Sequence, residues 1–184
     1  MWRERLRNAF ADVEAGRSLT PPPANIDEAN DAELPNGIGT PLTDAAARSD
    51  HLLGELIELY VRLGEQPFPW FTSRNTTEAV LRNSYVHPRI HMFEYLRENG
   101  EQDRANQLFE EMHADMQDAA APPIIMNTAR YNLACARARQ GRGDEALDLL
   151  EEVLSTRADM KQSAAEDPDF TTLRDDPRFQ ELVG

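Results

Sequence analysis

Two stretches of this chain share one pattern, "ENGEQDRANQLFEEM" at residues 98–112 and "RQGRGDEALDLLEEV" at residues 139–153. Aligned on Gly100 and Gly141, they place Ala105 on Ala146, Leu108 on Leu149 and Phe109 on Leu150. Each part has a physical reading. Glycine closes one helix in a left-handed cap, an acidic residue opens the next, and the small alanine lets the two helices approach closely. Such a pattern specifies helical hairpins. A single hairpin cannot bury its own apolar face, and about three stacked units are normally needed, so these two must dock on other helices.

The remaining sequence supplies them. Trp2, Leu6, Phe10 and Val13 recur at helical spacing and predict a helix over residues 2–15, stopped by Gly16. Residues 17–42 carry five of the chain's twelve prolines with no usable period, and read as a long acidic surface loop. Thr43 or Asp44 can cap the next helix, in which Leu52, Leu53, Leu56, Leu59, Tyr60 and Leu63 form an apolar stripe ending at Gly64. "EQPFPWFTSRN" reads as a turn clustering Phe68, Trp70 and Phe71. Thr76 or Thr77 can cap a helix running to Asn99, within which Pro88 predicts a kink or break over residues 84–87. Further helices are expected over 103–116, 124–140 and 144–156. The tail repeats one motif, "DPDF" at 167–170 and "DPRF" at 176–179, each with Asp placed to cap and Pro at the first helical position. No segment sustains a period of two. The fold class read from the chain is all-α.

Formal charge is −14, and so acidic a chain repels phosphate backbones and anionic lipid, which argues against nucleic-acid and membrane partners. The charged opening "MWRERLRNAF" lacks the apolar run of a signal peptide, and no window approaches the ~18 apolar residues of a membrane span. A cytoplasmic location is the expectation. Cys135 is the single cysteine, sits among apolar residues of a helix, and reads as a small buried hydrophobe with no activating base nearby.

Residues 129–154, with Tyr131, Leu133, Ala134, Gly141 and Ala146, resemble a tetratricopeptide repeat, and the ending "AAEDPDFTTLRDDPRFQELV" resembles the close of bacterial repeat proteins of that kind. The copy at 98–112 matches only in its second helix. The glycines are 41 residues apart, more than the usual period of about 34. Residues 2–100 resemble the DinB-like four-helix bundles, closest to the ClbS/DfsB branch, through "WRERL", "FPWF" and "TTEAVLRNSYVHPRIHMFEYLRENG". The two resemblances imply a partial DinB-like helical bundle at 1–100, with its loop at 17–42, followed by tetratricopeptide-like antiparallel hairpins at 101–184. The family's first helix and its first metal histidine have no counterpart here, as in a truncated form of a longer protein.

Chemistry centres on His87 and His91, four residues apart and about one turn of helix from each other. Imidazole pairs at that spacing suit zinc or nickel, but a third ligand is required, and His51 is the candidate; His113 lies on the more polar side of its helix and reads as solvated. The resemblance carries over only His87 and His91 and names no catalytic residue. Three functions follow. The first is a non-enzymatic tetratricopeptide-like scaffold with a protein partner, holding either no cofactor or a divalent metal. The second is a DinB-like metal-dependent hydrolase or transferase acting on a small reactive electrophile, with the aromatic cluster and the long loop about its site. The third is a homo-oligomer in which two incomplete bundles complete each other.

Overall fold

The computed structural model describes residues 2–184 and is all-α apart from one two-stranded hairpin. It divides into two compact units, Met1–His87 and Pro88–Gly184. That boundary lies ahead of Gly100, where the sequence placed it.

In the first unit, α1 (Trp2–Glu14) packs against α3 (Leu42–Leu63). Leu6, Ala9 and Phe10 of α1 are fully buried and face Leu56 and Leu59 of α3. The core is closed by β1 (Pro67–Trp70) and β2 (Ser73–Asn75), paired with Pro67 opposite Asn75 and Trp70 opposite Ser73. Along "PFPW" the phenylalanine and tryptophan point inward while both prolines face out. The missing proline N–H groups are thus confined to an edge. Phe68 meets Phe10 edge-on, with ring centroids 4.7 Å apart. Burying Phe10, Phe68 and Trp70 contributes about 1.5–3 kcal/mol each. The hairpin is tight enough to hold Phe71 at φ 51°, a left-handed conformation that a bulky residue rarely adopts.

Residues 17–42 are not one structureless loop. They contain α2 (Ile26–Gly37), started by the Asn25 side chain, which accepts from the Glu28 N–H at 3.1 Å. Helix α2 buries no residue. It is held to α1 by the Trp2 indole N–H donating to Asn30 Oδ1 at 2.9 Å and by an Arg5–Glu33 ion pair.

The cap of α4 (Thr76–Leu81) is also different from that expected. Asn75, not a threonine, accepts from the Glu78 N–H at 2.8 Å. Thr76 is fully buried and donates to Gly64 O at 2.7 Å, tying the helix start to the end of α3. Glu78 is 1% exposed, and its carboxylate takes the Arg74 N–H at 2.7 Å and the Arg74 guanidinium at 2.6 Å. Those bonds from Arg74 hold its carboxyl below the ordinary range despite the opposing effect of burial.

Pro88 produces a π-helical turn, Arg82–Val86, rather than a break. The His87 N–H reaches back to Arg82 O, five residues away, and α5 (His87–Glu98) continues from there. Pro88 offers Ser84 O no N–H; the Arg3 guanidinium donates to it instead, at 3.0 Å. The same guanidinium donates to Ser49 O at 3.1 Å and to the Ser49 hydroxyl, so one side chain joins α1, α3 and the turn.

The second unit is a run of helical hairpins. Its helices are α6 (Gln102–Asp118), α7 (Pro123–Arg139) and α8 (Gly143–Thr156), followed by α9 (Lys161–Glu166), a 3-10 turn (Pro168–Leu173) and α10 (Pro177–Val183). Helix α5 joins this unit through Phe93, stacked on Phe109 at 4.2 Å. The internal repeat has matching geometry. Gly100 and Gly141 lie at φ 80° and 74°, and each closes a two-bond Schellman cap. The residues after them, Glu101 and Arg142, share φ −91° with ψ 55° and 60°. Ala105 and Ala146 are both fully buried. A third cap of this kind, at Ala120, is built without glycine, at φ 47°. The two Asp-Pro motifs also match: Asp167 and Asp176 each accept the N–H two residues on, and Phe170 and Phe179 are buried side by side, 5.8 Å apart.

Candidate functional site

Helix α3 exposes His51, whose Nε2 lies 3.8 Å from Glu55 on the same helix. His87 is exposed where the π-turn passes into α5, and His91 is exposed with Nδ1 3.3 Å from Glu94. Among the described residues, the one group of three closely spaced metal-donor side chains contains no histidine. His113 is half-buried rather than solvated, and burial, with the nearby charges of Arg130 and Arg137, pushes its pKa down against the opposing effect of Glu152. Of the aromatic cluster, Phe68 and Trp70 are spent in the core, and Phe71 is 40% exposed.

That donor group is Cys135, Asp167 and Asp169, with ligand atoms within 4.8 Å of one another. Helix α7 presents Tyr131, Cys135 and Arg139 four residues apart on one face, and the first Asp-Pro turn brings the two carboxylates to it. Tyr131 donates its hydroxyl proton to Asp167 at 2.9 Å, the Cys135 thiol lies 3.9 Å from the same oxygen, and Arg139 pairs with Asp169. The Arg139 guanidinium also sits over the Phe93 ring at 4.4 Å. Burial pushes both the Tyr131 and the Cys135 protons up, with the carboxylates adding to the effect at the thiol. A metal would need a thiolate and free carboxylates. Here a phenol and a guanidinium hold the two acids beside the buried thiol, and these contacts fasten the 3-10 turn to α7. A groove of about 430 Å³ elsewhere on this unit is lined by Glu151, Leu154, Ser155, Lys161, Arg178 and Leu182. Its Arg178 is already paired with Asp148 and Glu151, both at 2.7 Å.

Helix α3 is apolar on more than its core face. Leu52, Leu56 and Leu59 face the core. Around the helix runs a second stripe, Leu42, Ala46, Leu53, Ile57 and Val61, spaced by four or seven residues. Leu42 is 84% exposed, Ile57 50% and Val61 74%. The stripe passes along a 22-residue helix, roughly 33 Å at 1.5 Å per residue. Sequence reasoning followed the leucines and missed it. The signal was present in Leu53 and Ile57, each one residue past a core leucine, and in Val61 one turn further on, which together make the helix apolar on two sides rather than one.

Comparison of the chain with protein-family models, with curated proteins and with solved structures returned no match.

Proposed function

We propose that the protein is a helical interaction protein, a scaffold whose tetratricopeptide-like hairpins accompany a partial bundle that takes up a helix from another protein. The observation that carries this reading is the second apolar stripe of α3, exposed at Leu42, Ile57 and Val61. Scattered apolar residues on a surface need no explanation, whereas several aligned along one helix face support an interaction site. Helix docking on such a stripe is a common recognition mode, with anchors at every third or fourth residue.

The test is a photo-crosslinking residue placed at position 61 in the cells that make the protein. Discrete protein adducts are expected, absent when the same residue replaces the exposed Glu111 of α6. Equal labelling at the two positions would remove the support for this function.

A further inference from the structure

We propose that the occupant of the α3 stripe is a cationic amphipathic helix, one that sets a lysine or arginine against Asp50 and leucine-like anchors against Ile57 and Val61. The proposal rests on the interaction reading above and adds to it the chemistry of the partner.

The argument turns on charge. Asp50 stands in the middle of the stripe, exposed, and has no hydrogen-bond or ion-pair partner among the described residues. Covering the stripe would take that carboxylate out of water, which is costly unless a cation comes with the cover. The chain has no cation to spare there. Of the bases on α3, Arg48 is paired with Glu4 at 2.8 Å, Arg62 is paired with Glu14, and His51 faces Glu55. Both arginines are thereby drawn to the edge that meets α1, away from the stripe. Further along the helix, Glu58 is exposed beside Ile57 and Val61 and lies 4.0 Å from Arg62.

A second copy of the chain is a poor occupant for the same reason. Stripe against stripe, it would bring another Asp50, another −14 of net charge and an α3 whose bases are already engaged with acids. A purely apolar helix would leave Asp50 buried and unpaired. A basic amphipathic helix satisfies both features at once, with its apolar face on Leu53, Ile57 and Val61 and its cation on Asp50. Attraction between the acidic chain and such a helix also speeds encounter, and it weakens with salt.

The experiment uses the purified full chain and three 18-residue synthetic peptides, read by fluorescence anisotropy at low and high salt. The first is a leucine/lysine amphipathic helix. The second keeps the leucine spacing with glutamine for lysine. The third scrambles the first. Expected is binding of the leucine/lysine peptide at least about tenfold tighter than either control, lost about tenfold or more in an Ile57→Ser, Val61→Ser double variant. Asp50→Asn should weaken it by about three- to tenfold and flatten its salt dependence. Because these positions are exposed, the variants should melt with the parent; should the double variant unfold, Val61→Lys reads the same contact by repulsion.

Equal binding of the scrambled peptide overturns the proposal, since charge alone would then suffice. Equal binding of the glutamine peptide, lost in the double variant, overturns the cationic assignment and leaves the interaction function standing. So does failure of all three peptides while position 61 still crosslinks in cells. Failure of both peptide binding and crosslinking overturns both. Sedimentation showing a dimer that the double serine variant dissociates would make a second copy the occupant, and that also overturns the proposal.

Discussion

Replacing Arg3 with methionine keeps most of the side chain's length and removes its fork. Three acceptors lose their donor: Ser84 O at 3.0 Å, Ser49 O at 3.1 Å and the Ser49 hydroxyl. Hydrogen bonds from a charged donor are worth about 1.5–3 kcal/mol each in well-buried settings. Arg3 and Ser49 are half-buried, so water can replace the guanidinium at the Ser49 acceptors; the bond to the buried Ser84 carries most of the loss, and a total of about 2–3 kcal/mol is expected. Ser84 makes the loss hard to repair, because it is 7% exposed and the residue four ahead is Pro88. In a unit of this size, 1 kcal/mol moves the midpoint by about 4–8 °C, which gives a fall of roughly 10–20 °C. The assay is favoured by the chain itself. Both tryptophans, Trp2 and Trp70, lie in the first unit, so tryptophan fluorescence during heating reports on that unit alone. Arg3→Lys keeps the charge but cannot fork, and should recover at most about half of the loss. Arg48→Met, which breaks an exposed pair with Glu4, is the control and should cost under about 1 kcal/mol. If Arg3→Met melts no lower than Arg48→Met, Arg3 does not hold the π-turn in the way described.

Other consequences are testable on the same protein. Glu78→Gln should destabilise by about 1–3 kcal/mol at neutral pH, because it weakens two bonds to Arg74 inside the first unit. Glu78 titrates below its ordinary value of 4.5, so its stabilisation is full above that pH and is lost as pH falls through the lowered value. The melting gap between parent and variant should therefore narrow in acid, and a constant gap would count against the charge. Ser73→Ala should be neutral or stabilising by up to about 1 kcal/mol, since the Ser73 hydroxyl is buried without a hydrogen-bond partner among the described residues; a clear loss in a urea titration would show a partner after all. Ala120→Gly should raise the melting temperature of the second unit by relieving a left-handed alanine, a gain of about 0.5–1 kcal/mol. Phe170→Ala should cost about 3–5 kcal/mol through the cavity it leaves, seen as loss of the second unit's far-ultraviolet circular dichroism at lower temperature.

Helices α6, α7 and α8 fall within two residues of where the sequence placed them, because glycine and proline mark their ends and one apolar face marks their middles. Other elements obey weaker local signals. Helix α2 has no apolar face to count, and its legible sign was the Asn25-to-Glu28 cap spacing within an otherwise proline-rich stretch. The hairpin strands are too short for a period of two to stand out, and prolines at Pro67 and Pro69 disguised the inward pair between them. Pro88 announced trouble in its helix, but nothing near it in sequence says that Arg3, some eighty residues away, takes up the carbonyl of Ser84. The histidines were legible as a spacing and no more. Spacing says nothing of a third ligand, and the carboxylates beside His51 and His91 are ordinary helix neighbours. The α3 stripe could be read from its residues, yet whether it was a second buried face or an exposed one depended on what packs there.

The forked contacts described above have a consequence for regulation. Arg3 spans two carbonyls, Arg74 grips Glu78 with main chain and side chain, Arg137 reaches Glu110 and Glu145, and Arg178 holds two carboxylates. All need a flat guanidinium, and the chain has eighteen arginines against a single lysine, Lys161. Guanidinium stays charged at any pH a cell can reach. The protein's response to pH is thus left to its acids and its four histidines. Acetylation of side-chain amines, a common way for cells to erase positive charge, has one address here, on the rim of the groove beside Arg178.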